Sequence, residues 1–590
     1  MQLGTKVKST PQSIVAGHPK RTVNRAGGTA FTIDNPAQYL LATIGSAMFC
    51  EPKYYSDMNN VEELKQSGYN SKGLDEQAIR IIEACIAVCE GDSPRDVLAL
   101  ANWARTELMM RTTPCVMAAV ASRCVSARKY IKAYVPKIAQ RPDDIKQIAG
   151  AYRHLFGKST PAQLKKGLAA ALSRVNETGF LKYDGEGHPS WKDLLLFVDR
   201  KKDYPVSKEL FEYLVNGKIV NPEKTPIIAA HKQLAQQKEF GPEAQRLARQ
   251  CHVSHEVLVS QFGGKPEVYE ALVGQMGYMA LLRNLANFLT ANVSSEAIGA
   301  VCNKLADRDQ VLKSKQLPFR FYSARQALTA YDAGETWGKS KKHTRSFEAW
   351  DQRKKQEILS ALDSAMGHAA SNMPQFVGDT CIAIDISGSM ANRLSEDSEL
   401  LLVDAAAMLA ALAVKASVGA NGTVHCVAFA TNPVLLNLST QDSVLSLMQQ
   451  IKRTDVGGHA TYASKVVELL LQRKIKVDRF VLLSDMQCYG ERVYIAPLFG
   501  NSGPGLFESL LNYRRIINPN CYFHSIDLCG QDGTSQMPED DPKTHLVSGF
   551  HQSLFGHLIA FEQGPTEKAE KKTSSKDRQL PTLDYIRANY

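Results

Sequence analysis

Three short runs, TCIAIDIS (380–387), TVHCVAFA (423–430) and RFVLLSD (479–485), are apolar almost throughout, and polar residues close or directly follow each. Long stretches with helical spacing, LLLVDAAAMLAALAVKAS and TYASKVVELLLQRK, lie between them. A strand buried on both faces reads as a continuous apolar run, whereas a half-exposed strand alternates. Strand, helix, strand, helix therefore predicts a mainly parallel sheet covered by helices on both sides, an α/β domain over 371–560. Open sheets of this kind place ligands in the loops beyond the carboxyl ends of their strands.

Ahead of that domain the texture is different. DEQAIRIIEACIAVCE, PRDVLALANWARTELMM and EVYEALVGQMGYMALLRNLANFLT carry apolar residues at three- and four-residue steps, the period of an amphipathic helix. Ser93-Pro94 and Thr160-Pro161 are helix-start signals. Helices with short polar breaks over more than 300 residues predict a solenoid-like stack of helical pairs across 31–370. A chain of 590 residues exceeds what one core organises, which agrees with two domains. Residues 1–30 are polar and basic, without an apolar signal core, and are expected to be flexible. The segment 561–590, with KAEKKTSSKDRQ, is expected to be an exposed charged tail.

No run approaches the roughly 18–20 apolar residues of a membrane span. The twelve cysteines are scattered, without CxxC pairs, and read as buried thiols in a reducing cytoplasm. Charge is unevenly placed. Residues 1–370 hold 51 Lys and Arg against 37 Asp and Glu, while 371–590 hold 19 against 23. Residues 101–250 alone hold 26 against 14, so a polyanion, nucleic acid above all, is the expected partner of the helical part.

The first apolar run ends in Asp385, with Ser387 and Ser389 at alternate positions. A phosphotransfer nucleophile would want a second acid where Ser387 stands. A nucleotide-binding loop would need GxxxxGK[ST], which is missing. A hard-cation site fits: one carboxylate and two hydroxyls on an extended loop are oxygen ligands of the kind Mg²⁺ prefers. Asp485, closing the third run, and Thr461, in GGHATY before a helix, could supply further oxygens.

The DxSxS pattern resembles the metal-ion-dependent adhesion site of von Willebrand factor A domains. In that family an Asp, two Ser, a Thr from a second loop and an Asp from a third hold Mg²⁺, and an acid from a partner completes the shell. Asp385, Ser387, Ser389 and Asp485 match; Gly457-Gly458-His459 stands where the family often reads GGT, so Thr461 serves only if that loop is two residues longer. In the helical part, IGSAMFCEPKYYSD (44–57), ARTELMMRTTP (104–114), PSWKDLLLFV (189–198), MALLRNLANFL (279–289) and LPFRFYSARQAL (317–328) resemble the TROVE module of Ro ribonucleoproteins, in the family's order. A TROVE module followed by an A-type domain is the Ro architecture. The resemblance implies a ring of HEAT-like helical repeats closed by the A-type domain. It implies that single-stranded 3′ ends of misfolded noncoding RNAs enter the hole while Y-like RNAs bind the basic outer surface. For bacterial members it also implies a link to an exoribonuclease, polynucleotide phosphorylase.

The residues suited to those tasks are distinct sets. On the outer surface the segment 159–193 carries Lys165, Lys166, Arg174, Lys182, Trp191 and Lys192, with Lys166 and Arg174 within about 80° of each other on a helix. For unpaired bases, which stack on aromatic or arginine planes, the candidates are Tyr54, Tyr55, Arg111, Thr112, Arg283, Asn284, Arg320 and Ser323. No Ser/His/Asp arrangement can be defended, and hydroxyl ligands leave too few carboxylates for two-metal phosphodiester cleavage. The expectation is a monomeric RNA-binding scaffold rather than an enzyme; the alternative is an adhesion-type module whose metal captures a protein carboxylate.

Overall fold

The computed structural model describes residues 21–24, 29–47, 51–52, 54, 74–183, 189–198, 206–316, 318–330, 350–370, 377–394, 400–417, 421–486, 488, 505–529, 534–538, 541–549, 554–563 and 581–590. From helix Pro36–Ser46 to helix Gln352–Ala370 the described residues form helices and connections without a strand. Helices near in sequence pack together in space: Asp96–Thr106 on the next, Thr113–Arg123, Arg128–Ile138 on the next but one, Ala162–Leu172, and Pro226–Ala235 on the next, Pro242–Cys251. The second of these pairs approaches closely at Gly167. A β-carbon there would stand 2.9 Å from Val135 Cβ, so a residue without a side chain is needed. The stretch read as one helical segment at 267–290 is three helices, Pro266–Val273, Tyr278–Arg283 and Leu285–Thr290, interrupted at Gly274, Gly277 and Asn284.

The apolar side chains gather into two large clusters that meet within one helix. Ile228 belongs to the cluster of the first helices, whereas Ala230 and Leu234, less than two turns on, belong to a second. That second cluster runs without a break through the later helices into one face of the sheet, taking in Ile382, Ile384 and Ile526. The helical array and the α/β domain thus share a core.

The sheet has six strands in the order β5-β4-β3-β6-β7-β9. They are β3 (Thr380–Asp385), β4 (Val424–Phe429), β5 (Pro433–Leu435), β6 (Arg479–Ser484), β7 (Tyr522–Asp527) and β9 (Thr544–Ser548). All neighbouring pairs are parallel except β4 with β5. Every residue of β3 and β6 is buried, as their continuous apolar pattern predicts. The chain leaves β3 for β4 on one side and returns to β6 on the other, so the order reverses at β3, and the crevice of such a sheet opens at its carboxyl end.

Both chain ends depart from the expected flexible segments. β1 (Arg21–Val23) and β2 (Thr29–Thr32) form an antiparallel sheet with β8 (Thr534–Ser535) of the α/β domain, and Asn24 Nδ2 donates to Met486 O and Cys488 O at 3.2 and 2.8 Å. At the other end, helix Pro581–Asn589 packs on helix Asp96–Thr106. Leu583 and Ile586 are buried in the first cluster, and Arg587 pairs with Asp96 at 2.7 Å. Composition hid this helix: the charged run before it masks the apolar spacing of Leu583, Ile586 and Tyr590. Residues 1–20 and 564–580 lie outside the described residues.

The Asp96 carboxylate is nearly inaccessible, at 5 % side-chain exposure, so removing its partner leaves a buried charge. Arg587→Ala is expected to lower stability by roughly 2–3 kcal/mol in a denaturant titration, and an unchanged midpoint would mean that the helix does not hold this position in solution.

Candidate cation site and nucleic-acid interface

Asp385 is the last residue of β3 and is fully buried. Its Oδ1 accepts the Ser387 N–H at 2.9 Å, and its Oδ2 accepts the Ser484 hydroxyl at 2.6 Å. Burial pushes the carboxyl up to about 6; the Ser387 and Ser484 hydrogen bonds pull it down, and the nearby Asp485 charge adds to the rise. Ser387 is buried and Ser389 half-buried, with their hydroxyl oxygens 3.3 Å apart. Asp385, Ser387 and Ser389 are therefore brought together, and Asp485 lies within electrostatic reach. Ser484 was missed; its signal was a hydroxyl at the end of an otherwise apolar strand.

The second loop reaches the same place by a tight turn. Gly457 and Gly458 take φ of +71° and +136°, and added β-carbons would stand 2.4 Å from Asn432 Nδ2 and 2.7 Å from Thr431 Oγ1. The Asn432 N–H to Val456 O and Tyr462 N–H to Ala430 O bonds strap this loop along the end of β4. His459 then lies against the serine loop, since a β-carbon on Gly388 would be 3.4 Å from His459 Cβ. Thr461 follows, buried at the start of helix Ala463–Gln472.

The donor set suits a hard divalent cation on its chemistry. Asp385 touches only neutral donors, and a second acid raises its cost of ionisation. Among the described residues no three His, Cys, Asp or Glu cluster as metal ligands, so this site depends on hydroxyl oxygens. Asp385, Ser387, Ser389, Thr461 and Asp485 would hold the ion, which would offset the buried negative charge and leave a position for an acidic group from outside.

The residues proposed for RNA fall into three kinds. Some are core. Tyr54 is 1 % exposed with its hydroxyl donating to Thr113 Oγ1 at 3.1 Å, and Trp191 is 1 % exposed with Nε1 donating to Phe180 O at 3.0 Å and its ring edge-on to Phe180. Neither can stack on a base without unpacking, so both are corrected to packing roles. Asn284 is buried as well, donating to Ala280 O at 2.8 Å and accepting from Asn287, and it joins two helices. Tyr55 lies outside the described residues.

Others are surface groups already engaged. Arg174 donates to Pro136 O and Ala139 O, capping the carboxyl end of helix Arg128–Ile138. Arg111 pairs with Asp143 at 2.5 Å. The N–H groups of Arg111, Thr112 and Thr113 donate to the Glu51 carboxylate, which occupies the amino end of helix Thr113–Arg123 as an anion would. Lys165 Nζ lies 5.2 Å from the centre of the Phe197 ring and Lys182 Nζ 5.5 Å from that of Tyr183, each ammonium over an aromatic face.

The third kind is open to a ligand. Lys166 and Lys192 are exposed. Arg283 and Arg320 are exposed and within electrostatic reach of each other: crowding by the surrounding protein and then the Arg283 charge push the Arg320 guanidinium down. Arg320 also lies over the Phe319 ring at 5.0 Å, and half-buried Ser323 follows one turn on, in helix Pro318–Ala330.

Residues 228–376 match the model of the TROVE domain, and residues 379–555 match that of the Ro60 vWA domain. In tandem they take in more than half of the chain. The chain belongs to the Ro family. Over 309 residues it is 24% identical to mouse telomerase protein component 1, covering 43% of this chain and 12% of that protein. Over 234 residues it is 24% identical to the RNA-binding protein RO60 of Caenorhabditis elegans, covering 38% of this chain and 33% of that protein. The chain thus spans a third or less of these curated relatives. The crystal structure of the Deinococcus radiodurans Ro (RSR) protein aligns with 90% of this Ro-family chain and 98% of its own, at a TM-score of 0.60 and 17% identity, which shows the shared fold. Arg283, Arg320 and Ser323 fall inside the matched TROVE residues; the basic segment 159–193 falls before them.

Mg²⁺ is expected to raise the thermal midpoint of the α/β domain, about 2–4 °C for each kcal/mol of binding, and Asp385→Ala should abolish that rise. A rise of equal size in the variant would place the ion elsewhere.

Proposed function

We propose that this chain is an RNA-binding scaffold of the Ro type. The single observation that carries the reading is the Arg283–Arg320 pair. The Arg283 charge adds to the burial that pushes the Arg320 guanidinium down, a like-charge contact that an anionic group bridging the two would relieve. Phosphate matches that need, and arginine planes also stack on unpaired bases. Ser323 beside them adds a hydroxyl able to hydrogen-bond a base edge or a phosphate. The 3′ ends of misfolded RNA, rather than duplex, suit a site built this way.

Lys166, Lys182 and Lys192 extend a separate basic surface suited to the backbone of a small structured RNA, Y-like in character. In this reading the protein acts in RNA quality control or processing in the cytoplasm, as a monomer that carries RNA without cleaving it. An exoribonuclease such as polynucleotide phosphorylase is the protein partner that fits. The serine-loop cation site favours a role in partner capture, with the carboxylate of another protein completing the metal shell; an adhesion-type module without RNA is the competing reading.

Binding of a structured RNA with a single-stranded 3′ tail separates these readings. Combined Lys166→Glu, Lys182→Glu and Lys192→Glu should weaken it at least tenfold and flatten its salt dependence by about one phosphate contact per lysine. Arg283→Ala with Arg320→Ala should reduce the advantage of the tailed RNA over its blunt counterpart. Affinity that ignores salt and both sets of changes would favour the adhesion module.

A further inference from the structure

The described cysteines are all free thiols, and most are sealed in apolar surroundings. Cys124 is different in position and in company. It is the residue on which helix Thr113–Arg123 ends, half-buried, with the backbone turning to an extended conformation. Cys89 stands in the last turn of helix Glu76–Glu90, 1 % exposed, with its thiol beside that of Cys124, whose Sγ itself lies 3.5 Å from Val120 O. Two further contacts fix the encounter. Ser126 Oγ donates to Cys89 O at 2.6 Å, pinning the chain just past one cysteine to the backbone of the other, and the two helices pack along each other. Arg128 Nη2 donates to Arg123 O at 3.3 Å, placing two guanidinium-bearing residues around the Cys124 turn.

The surroundings hold the Cys124 thiol below its ordinary range. The hydrogen bond from Cys89 is the largest cause holding it below the usual thiol range; Arg123 and Arg128 add to this, while burial and Glu90 oppose it. Cys89 is pushed the other way by the same hydrogen bond and by burial. By contrast, burial pushes Cys302, which is also half-buried, up to about 11. An accessible low-pKa thiol beside a protonated, sheltered one is the arrangement of an attacking and a resolving cysteine.

We propose that Cys124 and Cys89 form a peroxide-responsive dithiol, in which Cys124 attacks and Cys89 resolves. The Cys124 thiolate attacks one oxygen of a hydroperoxide, the O–O bond breaks, and the leaving alkoxide or hydroxide takes a proton from solvent, leaving Cys124 as a sulfenic acid. The Cys89 sulfur then displaces that hydroxyl. An S–S bond forms, the S–O bond breaks, and the Cys89 proton leaves with the hydroxyl as water. The two thiols lose two electrons in total and the peroxide gains them. The bond ties the carboxyl end of helix Thr113–Arg123 to the last turn of helix Glu76–Glu90, so oxidation locks this helix pair at the end opposite Arg111 and Thr112.

The test uses the full chain and hydrogen peroxide near stoichiometry. Peptide mapping without reductant is expected to give a Cys89–Cys124 cross-link that a thiol reductant reverses. Cys124→Ser should abolish it, whereas Cys89→Ser, which keeps a hydrogen-bond donor, should accumulate a sulfenic acid at Cys124 that dimedone traps. In the unmodified chain, iodoacetamide should alkylate Cys124 at least roughly tenfold faster than Cys302, a comparison that needs no variant. A cross-link between other cysteines, no dimedone adduct at Cys124, or equal alkylation of Cys124 and Cys302 would overturn the proposal.

Discussion

The fold depends on contacts between the two ends of the chain. Arg587 reaches Asp96 across 491 residues of sequence, and β2 pairs with β8 across some five hundred. The helical array also joins the α/β domain through its last helices, where Pro318–Ala330 and Gln352–Ala370 pack on helix Leu402–Ala416. With them the first helix, Pro36–Ser46, also rests on β9, and the contacts run in a closed circuit. Closing so long a loop costs conformational entropy that grows only slowly with length, so a buried ion pair, two buried aliphatic side chains and a short sheet can hold it.

The two ends of the sheet treat charge in opposite ways. At its amino-terminal end Arg479 opens β6 and makes two bonds to the Glu562 carboxylate, at 2.6 and 2.7 Å, while His524 shares that carboxylate at 2.9 Å. Glu562 is held below the usual carboxylate range by these partners in spite of burial. At the carboxyl end Asp385 is deeper still, has only hydroxyl and amide donors, and is pushed up. The difference separates a carboxylate whose charge is balanced within the chain from one balanced by no cationic group among its hydrogen-bond partners, the kind a bound cation would complete.

Much of this was legible before the structure. Continuous apolar runs identified β3, β4 and β6 because a strand covered on both faces cannot alternate, and Asp385 with Ser387 and Ser389 could be placed at a strand end from three letters of spacing. Trp191 and Tyr54 could not be assigned this way, because an aromatic in a basic segment reads the same whether it faces solvent or Phe180 and Thr113. The capping contacts of Arg174 were hidden for a related reason: its partners are backbone carbonyls of Pro136 and Ala139, and a carbonyl leaves no trace in composition. The docking of helix Pro581–Asn589 was hidden by its charged linker, although Leu583 and Ile586 carried the three-residue spacing of a packed face.

The central claim is that the chain carries RNA, and sequencing the nucleic acid that co-purifies with it at low salt tests this most directly. Strong enrichment of a small structured RNA, released as salt is raised, is the predicted result. A protein that purifies free of RNA at low salt would contradict the account.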